Sequence, residues 1–444
     1  MERGRPQLRL IEGAGRASLA PALEFAALGA GLTLVVALLG RLPSWFRNLG
    51  TFQALFALAF AFFGLALLRI RRYERLPHAA LAVLAVAVAA RLALLPAAPS
   101  LSGDLYRYVW EGRVLLNGGN PYRQSPEDPR LAALRDRAIY PNINHKDLAT
   151  LYPPLAEAGF ALVARLSPTV TAFKAWVVLH DVALVLVLLA WASRLGASPV
   201  LVIAYAWNPL VLVEYAGSAH NDPTALLWLV VALVLARERP VFSALALVAG
   251  VLTKLAPLAA LPFLMRRWPW RARVTALGLL ALGLGGFLAE TRGPNSGLHA
   301  FWGAWRNNEL AFHYLERVTG GFATARGTAL VLLAALMAWA FVKIPSDGAA
   351  TRLALRGSLL LSPVLHPWYL GWALAFEPLG LSGPWLLLSL TAVLNYGVFA
   401  TPAEGRDFHL PLAWRWVEYG APLALAILLA LRARRDAAKR TASS

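Results

Sequence analysis

The sequence predicts an all-α polytopic membrane protein, a bundle of about twelve to fourteen transmembrane spans with some of them broken. Of the 444 residues 58% are hydrophobic and 15% are charged, whereas about a quarter of the residues of a soluble domain are charged. Long apolar stretches recur from residue 18 to residue 431, and about 20 apolar residues suffice to cross a bilayer. Cysteine is absent, which excludes disulfides and thiolate chemistry.

The net charge of +18 is distributed as in a membrane protein. Basic residues cluster at the ends of apolar stretches, in residues 69–75, 266–273 and 432–440. This placement fixes membrane orientation, so we expect the lipid bilayer as a partner and no nucleic acid. All of these clusters face the cytoplasm if the N-terminus, which carries Arg3, Arg5, Arg9 and Arg16, is inside. We therefore expect an inner-membrane protein with cytoplasmic N- and C-termini.

Ten apolar stretches predict uninterrupted helices, namely 18–40, 51–68, 78–96, 171–192, 199–216, 221–236, 274–290, 327–343, 384–399 and 411–431. Two further spans are predicted to be broken, 241–265 by "TKLAP" and 353–379 by "SPVLHPWYL", because proline interrupts helical hydrogen bonding. Each half reaches only about 15–20 Å at 1.5 Å per residue, so it has to lie within protein or beside a watery cavity.

The polar loops then share the outer face, which receives 97–152, 217–222, 291–326 and 401–411. In the first loop, "SGDLYRYVWEGRVLLNGGNPYR" predicts an amphipathic interfacial helix over 104–117. Its residues Tyr108, Val109 and Leu115 are expected to face lipid or core, and its residues Arg107, Glu111 and Arg113 are expected to face water. A second short helix is predicted at about 127–137.

Asp104 directly follows the third span, which gives its carboxylate two interpretations. It could cap the following helix, or, partly desolvated at the membrane edge, it could take a proton from an acceptor hydroxyl as a general base. His220, Asn221 and Asp222 stand at the mouth of another span and are likewise either a helix start or a functional group. In the second case they would orient the acceptor or bind a metal.

Lys174, Lys254, Arg306 and His366 are four scattered basic residues expected on the outer side. Each could form a structural ion pair or hold the phosphate of a lipid-linked donor. Side chains suited to a sugar, or to shaping the outer loop, complete the predicted site: Arg107, Tyr108, Glu111, Arg113, Asn120, Tyr122, Tyr152, Trp305, Asn307 and Trp368.

Five segments in order, "SGDLYRYVWEGRVLLNGGNPY", "INHKDLATLYPPLAEAGF", "WNPLVLVEYAGSAHND", "LTKLAPLAALP" and "SPVLHPWYLGWALAF", resemble the GT-C superfamily of integral membrane glycosyltransferases. The likeness is greatest to bacterial polyprenol-phosphate-mannose-dependent mannosyltransferases. It implies that Asp104 is the catalytic base, and it matches Lys174 and residues 220–222 to family positions. It also divides the chain into a two-span extension, 1–77, and a GT-C-like domain, 78–444.

The resemblance implies transfer of a sugar, mannose by analogy, from a polyprenyl phosphate to an extracytoplasmic glycan or lipid acceptor with inversion. Leu105 follows Asp104 where family members carry a second acid, so no cofactor is certain and a divalent Mg or Mn ion stays an open question. A carrier or flippase for lipid-linked sugars, or an enzyme like an O-antigen polymerase or ligase, is the alternative.

Overall fold

A computed structural model of the protein describes residues 19–400 and 410–442. Within these ranges most of the chain is helical, and the only β-type pairings are isolated bridges that join Ala149 to Ser296 and Asn307 to Val364. The predicted all-α class is therefore confirmed. The N-terminal arginines 3, 5, 9 and 16 and most of the predicted outer loop 401–411 lie outside the described residues.

Fifteen helices of eight or more residues follow one another in the described part of the chain. They are α1 Ala20–Gly40, α2 Leu49–Leu68, α3 Ala79–Leu94, α4 Asp104–Leu116, α5 Pro154–Leu166, α6 Val170–Arg194, α7 Asp222–Leu235, α8 Pro240–Thr253, α9 Trp270–Glu290, α10 Gly297–Ala304, α11 Ala311–Thr319, α12 Phe322–Lys343, α13 Asp347–Leu361, α14 Gly383–Thr391 and α15 Leu412–Ala442.

Six helices of the described chain are long and apolar enough to cross a membrane, and a bent pair makes a seventh. The protein is thus a multi-pass membrane protein. Shorter apolar helices of 10–17 residues accompany them: Ala79–Leu94, Asp222–Leu235, Pro240–Thr253, Ala256–Met265 and Gly383–Phe399. The prediction of twelve to fourteen spans depends on these shorter helices crossing as well.

Both predicted helix breaks are confirmed. After α8 the backbone of Lys254 is extended, and short helical turns resume at Ala256. After α13 the chain is non-helical from Ser362 to His366, and a 3-10 turn then begins at Pro367. In both places proline occupies the start of the second half, where its missing N–H is not needed.

The predicted uninterrupted helix 199–216 is wrong. It consists of Pro199–Ala206 and Pro209–Gly217, which meet at an angle of 51°. The Leu210 N–H donates to the Asn208 side chain, so Asn208 caps a new helix in front of Pro209. That helix ends in a π-helical turn, Leu212–Gly217, and π-turns occur frequently at functional sites.

The outer-loop helix α4 forms as predicted, but the prediction that Arg107 and Glu111 face water is wrong. Arg107 and Glu111 are buried, because α4 packs against α5 and Arg107 pairs with Glu111. The close approach requires Gly112, since a Cβ atom there would lie 2.4 Å from the Phe160 carbonyl oxygen. The second predicted loop helix is reduced to a 3-10 turn, Pro129–Leu134.

The first two helices pack into the same apolar core as the later ones. Phe25 of α1 stacks on Trp207 with ring centroids 4.8 Å apart, and Trp45, between α1 and α2, is fully buried. The division of the chain at residue 78 stays a prediction, and this packing shows no separation of the core there.

The basic clusters lie at one end of the bundle. Arg266 and Arg267 bind Asp347 at the start of α13, and Arg194 lies 3.5 Å from Glu238 at the start of α8. Helices α8 and α13 then run away from these arginines, and each ends at a break, one at Lys254 and the other just before His366. The polar side chains at the breaks therefore lie at the opposite end.

Candidate active site

A cavity of about 330 Å³ lies at the end of the bundle opposite the arginine clusters. One side, which we call the loop wall, consists of residues 100–107 and 144–152. The facing side, the break wall, consists of Lys254 and residues 366–369 at the two helix breaks. Residues 297–307 and 395–399 complete the lining. At the two breaks the helices are interrupted, and the side chains there line the cavity.

Asp104 lines this cavity, and one of its two carboxylate oxygens accepts a hydrogen bond from a side chain. It is the first residue of α4 and follows Gly103, so the capping interpretation is not supported. Its Oδ1 accepts a hydrogen bond of 2.7 Å from Asn144 Nδ2. Among the described residues, no hydrogen bond reaches its Oδ2. A carboxylate oxygen without a donor is available to accept a proton.

Lys254 lies in the break wall as half of an ion pair. Its Nζ donates to Asp222 Oδ1 at 2.7 Å, and its side chain keeps a quarter of its exposure. The Nζ also lies 5.0 Å from the centre of the Tyr369 ring, a cation–π contact. Asp222 is fully buried and also accepts from Trp372 Nε1 at 2.6 Å. The buried carboxylate thereby fixes the cation at the cavity surface.

Three rings are stacked in the break wall. His220 and Trp368 are stacked with centroids 3.7 Å apart, and Trp368 and His366 are stacked at 4.2 Å. Both faces of the indole are covered, so a sugar can meet only its edge. The expectation that His366 is a second phosphate-binding cation stays a prediction.

Behind this stack, Glu214 of the π-helical turn pairs with His220. The distance from Glu214 Oε2 to His220 Nδ1 is 3.1 Å, and both side chains are buried. Its other oxygen accepts from the hydroxyl of Tyr396, a residue that lines the cavity. His220 therefore supports Trp368 from behind and does not line the cavity. Asn221 accepts from the Thr224 hydroxyl at 3.0 Å.

Eight of the site residues predicted from the sequence line the cavity: Asp104, Arg107, Tyr152, Lys254, Trp305, Asn307, His366 and Trp368. The prediction that the acid and the break residues share one cavity is thus met by the geometry, while their catalytic roles stay predictions.

Two of the predicted phosphate-binding cations lie elsewhere. Lys174 is fully buried, and its Nζ donates to the backbone carbonyls of Leu94 and Ala97 at 2.7 and 2.5 Å. Arg306 forms an ion pair with Glu316 and lies over the Phe322 ring. Neither lines the cavity. A cation in an apolar segment needs a partner, and here the protein itself supplies it.

Several predicted loop contacts also have structural partners. Tyr108 stacks on Phe160 with centroids 4.6 Å apart. The others are not part of the cavity lining and have partners in the protein: Arg113 pairs with Asp136, Asn120 donates to Glu290, the Tyr122 hydroxyl donates to the Tyr152 carbonyl, and Glu111 accepts from Arg107. These five shape the loop and are not positioned to touch a sugar in the cavity.

Sequence reasoning missed Asn144, His145, Glu214, Asn395 and Tyr396. A lone acid inside the apolar stretch "WNPLVLVEYAG" was a signal for Glu214, because unpaired charge is costly in a bilayer. No local signal distinguishes Asn144, which lies 40 residues from its partner Asp104.

A metal site is not evident in the part of the chain that the structure describes. No three His, Asp or Glu side chains come together there in a way that could hold an ion. Asp222 is already paired with Lys254, and Glu214 is paired with His220. The side-chain atoms available there therefore do not support a metal-binding role for His220, Asn221 and Asp222.

A second cavity, of about 400 Å³, lies between α11, α13, α14 and α15. It is lined almost entirely by apolar and aromatic side chains, including Leu359, Leu388 and Trp416. The two cavities share a partition. Asn307 and His366 line the first, and Glu309 and Leu365 line the second, while Asn307 hydrogen-bonds to Pro363 and Leu365 across the partition.

A family model described as "Alpha-(1->6)-mannopyranosyltransferase, N-terminal domain" matches residues 17–270, more than half of the chain. Alpha-(1->6)-mannopyranosyltransferase A of Corynebacterium glutamicum is 27% identical over 184 residues, which are 39% of this chain and 36% of that protein. The match thus spans about a third of the relative. No solved structure matches the chain.

Proposed function

The chain belongs to the alpha-(1->6)-mannopyranosyltransferase family, and on that premise we propose that it transfers mannose from a polyprenyl-phosphate donor to a glycan or lipid acceptor. The observation that carries the proposal is that Asp104 and Lys254 line one cavity and that no described residue donates a hydrogen bond to Asp104 Oδ2. The matched relative is named for an α-(1→6)-mannosyl transfer, and we extend the mannosyl specificity to this chain.

Direct displacement with inversion fits the composition of the cavity. Among the described residues that line it, Asp104 is the only carboxylate. A double displacement needs a carboxylate nucleophile in addition to the acid–base group, about 5 Å away. With a single carboxylate, the acceptor hydroxyl gives its proton to Asp104 while its oxygen bonds to the anomeric carbon. The bond from that carbon to the phosphate oxygen breaks on the opposite face.

The leaving group is the polyprenyl phosphate, which departs with the bonding electrons and gains negative charge. Lys254 lies at the cavity surface with one strong hydrogen bond to Asp222, so its ammonium group has further N–H donors for a phosphate oxygen. Stabilising the charge as it develops is the main requirement of such a step. No general acid is required for a phosphate leaving group.

A lipid-linked donor suits the pair of cavities. The polar cavity would hold the sugar and the phosphate, and the apolar one behind the partition of residues 307–309 and 362–365 would hold isoprene units. We place the polar cavity on the extracytoplasmic face of the inner membrane, because the arginine clusters at the opposite end favour the cytoplasm. A nucleotide sugar does not reach that face, whereas a lipid-linked sugar does.

The test is release of polyprenyl phosphate by the purified protein in nanodiscs, given a panel of polyprenyl-phosphate sugars and a mannoside acceptor. We expect turnover with the mannosyl donor and a fall of about 10²–10⁴-fold in Asp104→Asn, as for loss of a general base. Asp128→Asn is the matched control, because Asp128 pairs with exposed Arg130 on the surface of the same loop.

Transfer at the original rate by Asp104→Asn would reject the proposed base. Movement of the donor between leaflets without transfer, unaffected by this variant, would indicate a carrier or flippase. Joining of lipid-linked oligosaccharides to one another, in place of transfer of single mannosyl units, would indicate an enzyme like an O-antigen polymerase or ligase.

A further inference from the structure

Arg107 is bound on all sides by protein groups, although it borders the cavity. Its Nε donates to Glu111 Oε1 at 2.6 Å, its Nη1 donates to the His145 carbonyl at 2.9 Å, and its Nη2 donates to the Leu148 carbonyl at 2.5 Å. Its side chain is 8% exposed. A guanidinium committed to three acceptors has little capacity left for a substrate. Its evident effect is to hold residues 145–148 together.

The segment that Arg107 holds has an unfavourable backbone shape. His145 has a φ of 43°, in the left-handed region that residues with a side chain seldom adopt, and such strain persists only where surrounding contacts enforce it. Asn144, next to His145, lies very close to the start of α4, since a Cβ atom on Gly103 would lie 3.2 Å from Asn144 Cβ. The contacts of Arg107 with the carbonyls supply the enforcement.

Asn144 precedes His145 in this segment and is the donor to Asp104 Oδ1. The strained segment therefore determines where the amide of Asn144 points. The amide occupies one carboxylate oxygen and leaves the other for the acceptor hydroxyl. Arg107 thus connects to the proposed base through two hydrogen bonds, which are joined by the covalent chain of residues 144 and 145.

The position of Arg107 is fixed from behind by two acids. Glu111 and Glu157 are both buried, and Thr150 donates to Glu157 Oε1 at 2.7 Å. Burial, and next the adjacent Glu111 carboxylate, raise the pKa of Glu157 well above its ordinary value. With Glu157 protonated, one carboxylate balances one guanidinium, and the group can be buried without excess charge.

We propose that Arg107 and Asn144 are positioning residues, which act through the strained segment 144–148 to orient the Asp104 carboxylate and stabilise its charged form. The proposal rests on the function proposed above, in which Asp104 is the base. It assigns to Arg107 an effect on the pH dependence of transfer in place of the sugar contact that the sequence suggested.

Removal of the Asn144 amide takes a hydrogen bond from the charged carboxylate, which favours protonation. In Asn144→Ala we expect the acidic limb of the kcat pH profile to move up by about one unit, for the loss of one hydrogen bond to a charged group. We expect kcat at neutral pH to fall about tenfold, while the KM for donor changes less than about twofold, because ground-state binding is untouched.

Arg107→Lys keeps the charge but lacks the planar fork that reaches Glu111 and the two carbonyls. It should move the acidic limb in the same direction as Asn144→Ala, and the double variant should add little, because both act on one chain of contacts. The matched controls are Arg113→Lys, whose arginine pairs with Asp136, and Asn142→Ala, whose amide donates to the Ala138 carbonyl. Neither should change the pH profile.

The outcomes separate the two proposals. If Asp104→Asn retains transfer, the proposed function is wrong. If Asp104→Asn abolishes transfer while both Asn144→Ala and Arg107→Lys fold and keep the original pH profile, the base stands and the positioning proposal is overturned. Should Arg107→Lys fail to fold, the profile of Asn144→Ala, which removes an amide next to the cavity, decides alone.

Discussion

The two walls of the polar cavity differ in whether their charged side chains have charged partners. In the loop wall, Asp104 has a neutral amide partner and an oxygen free of hydrogen bonds to described residues. In the break wall, Lys254 is paired with Asp222, and behind this wall Glu214 lies 3.1 Å from His220. A wall with an uncompensated acid suits proton acceptance. A wall whose charges are paired suits binding an anion that arrives and departs, because its own charges stay in place.

The difference follows from how each wall is built. The loop wall consists of polar loop segments and the start of α4. Backbone carbonyls and amides there can fix a side chain at a small cost in free energy. The break wall is built from interrupted helices within an apolar bundle, where an unpaired charge costs several kcal/mol. Lys254 and Glu214 therefore have partners on adjacent helical segments, and only Lys254 keeps partial access to the cavity.

The strongest test of this difference between the walls is to remove Lys254, the partly exposed cation of the break wall. Lys254→Met should lower kcat about 10²–10³-fold, the usual effect of losing one group that stabilises developing charge. Lys254→Arg should retain part of the activity, and Lys343→Met, which removes an exposed lysine at the end of α12, should retain all of it. An unchanged kcat in Lys254→Met would show that the break wall does not hold the phosphate.

Sequence reasoning found Asp104, Lys254 and His366 because each stands at a discontinuity: an acid just after a span, and basic groups within breaks marked by proline. The roles predicted for Lys174 and Arg306 stay predictions, although neither residue lines the cavity. In a sequence, a basic residue looks the same whether backbone carbonyls, Glu316 or a ligand neutralises it. The bend at Asn208 was marked by Pro209, yet the apolar residues on both sides concealed it. Asn144 needed the tertiary structure.

A smaller effect is expected from the buried half of the break wall. Glu214→Gln removes the charge that faces His220 and alters the bond from Tyr396, so unfolding should become easier by roughly 1–3 kcal/mol, as for an unsatisfied buried group. Thermal unfolding in detergent measures this, with the exposed Glu238→Gln as control. Equal melting temperatures for Glu214→Gln and the parent protein would show that the pairing stabilises nothing.

The apolar cavity can be tested as the binding site for the isoprenoid tail of the donor. Leu388→Trp fills part of it, so the KM for a long-chain polyprenyl donor should rise roughly tenfold, in line with the cost of overpacking. The KM for a short-chain, water-soluble donor should stay the same. Leu428→Trp, on an exposed part of α15, is the control. Equal effects on both donors would exclude this cavity as the tail site.

The last effect concerns the pH dependence of stability and is expected behind the loop wall, at Glu157. Its pKa is raised above the ordinary 4.5 by burial and by Glu111, and is lowered by Arg107. A carboxyl with a raised folded pKa contributes stability that is complete below about pH 4.5. This contribution decreases by about 1.4 kcal/mol per pH unit as the pH rises towards the folded pKa.

Glu157→Gln mimics the protonated carboxyl, since its amide can donate to Glu111 and its oxygen can accept from Thr150. Stability measured from pH 5 to pH 8 should therefore fall less with pH in the variant than in the parent, so that the variant gains relative stability at the alkaline end. Exposed Glu127→Gln should reproduce the parent curve. Parallel curves for Glu157→Gln and the parent would mean that Glu157 is ionised in the folded protein, and that Arg107 is balanced by two carboxylates and not one.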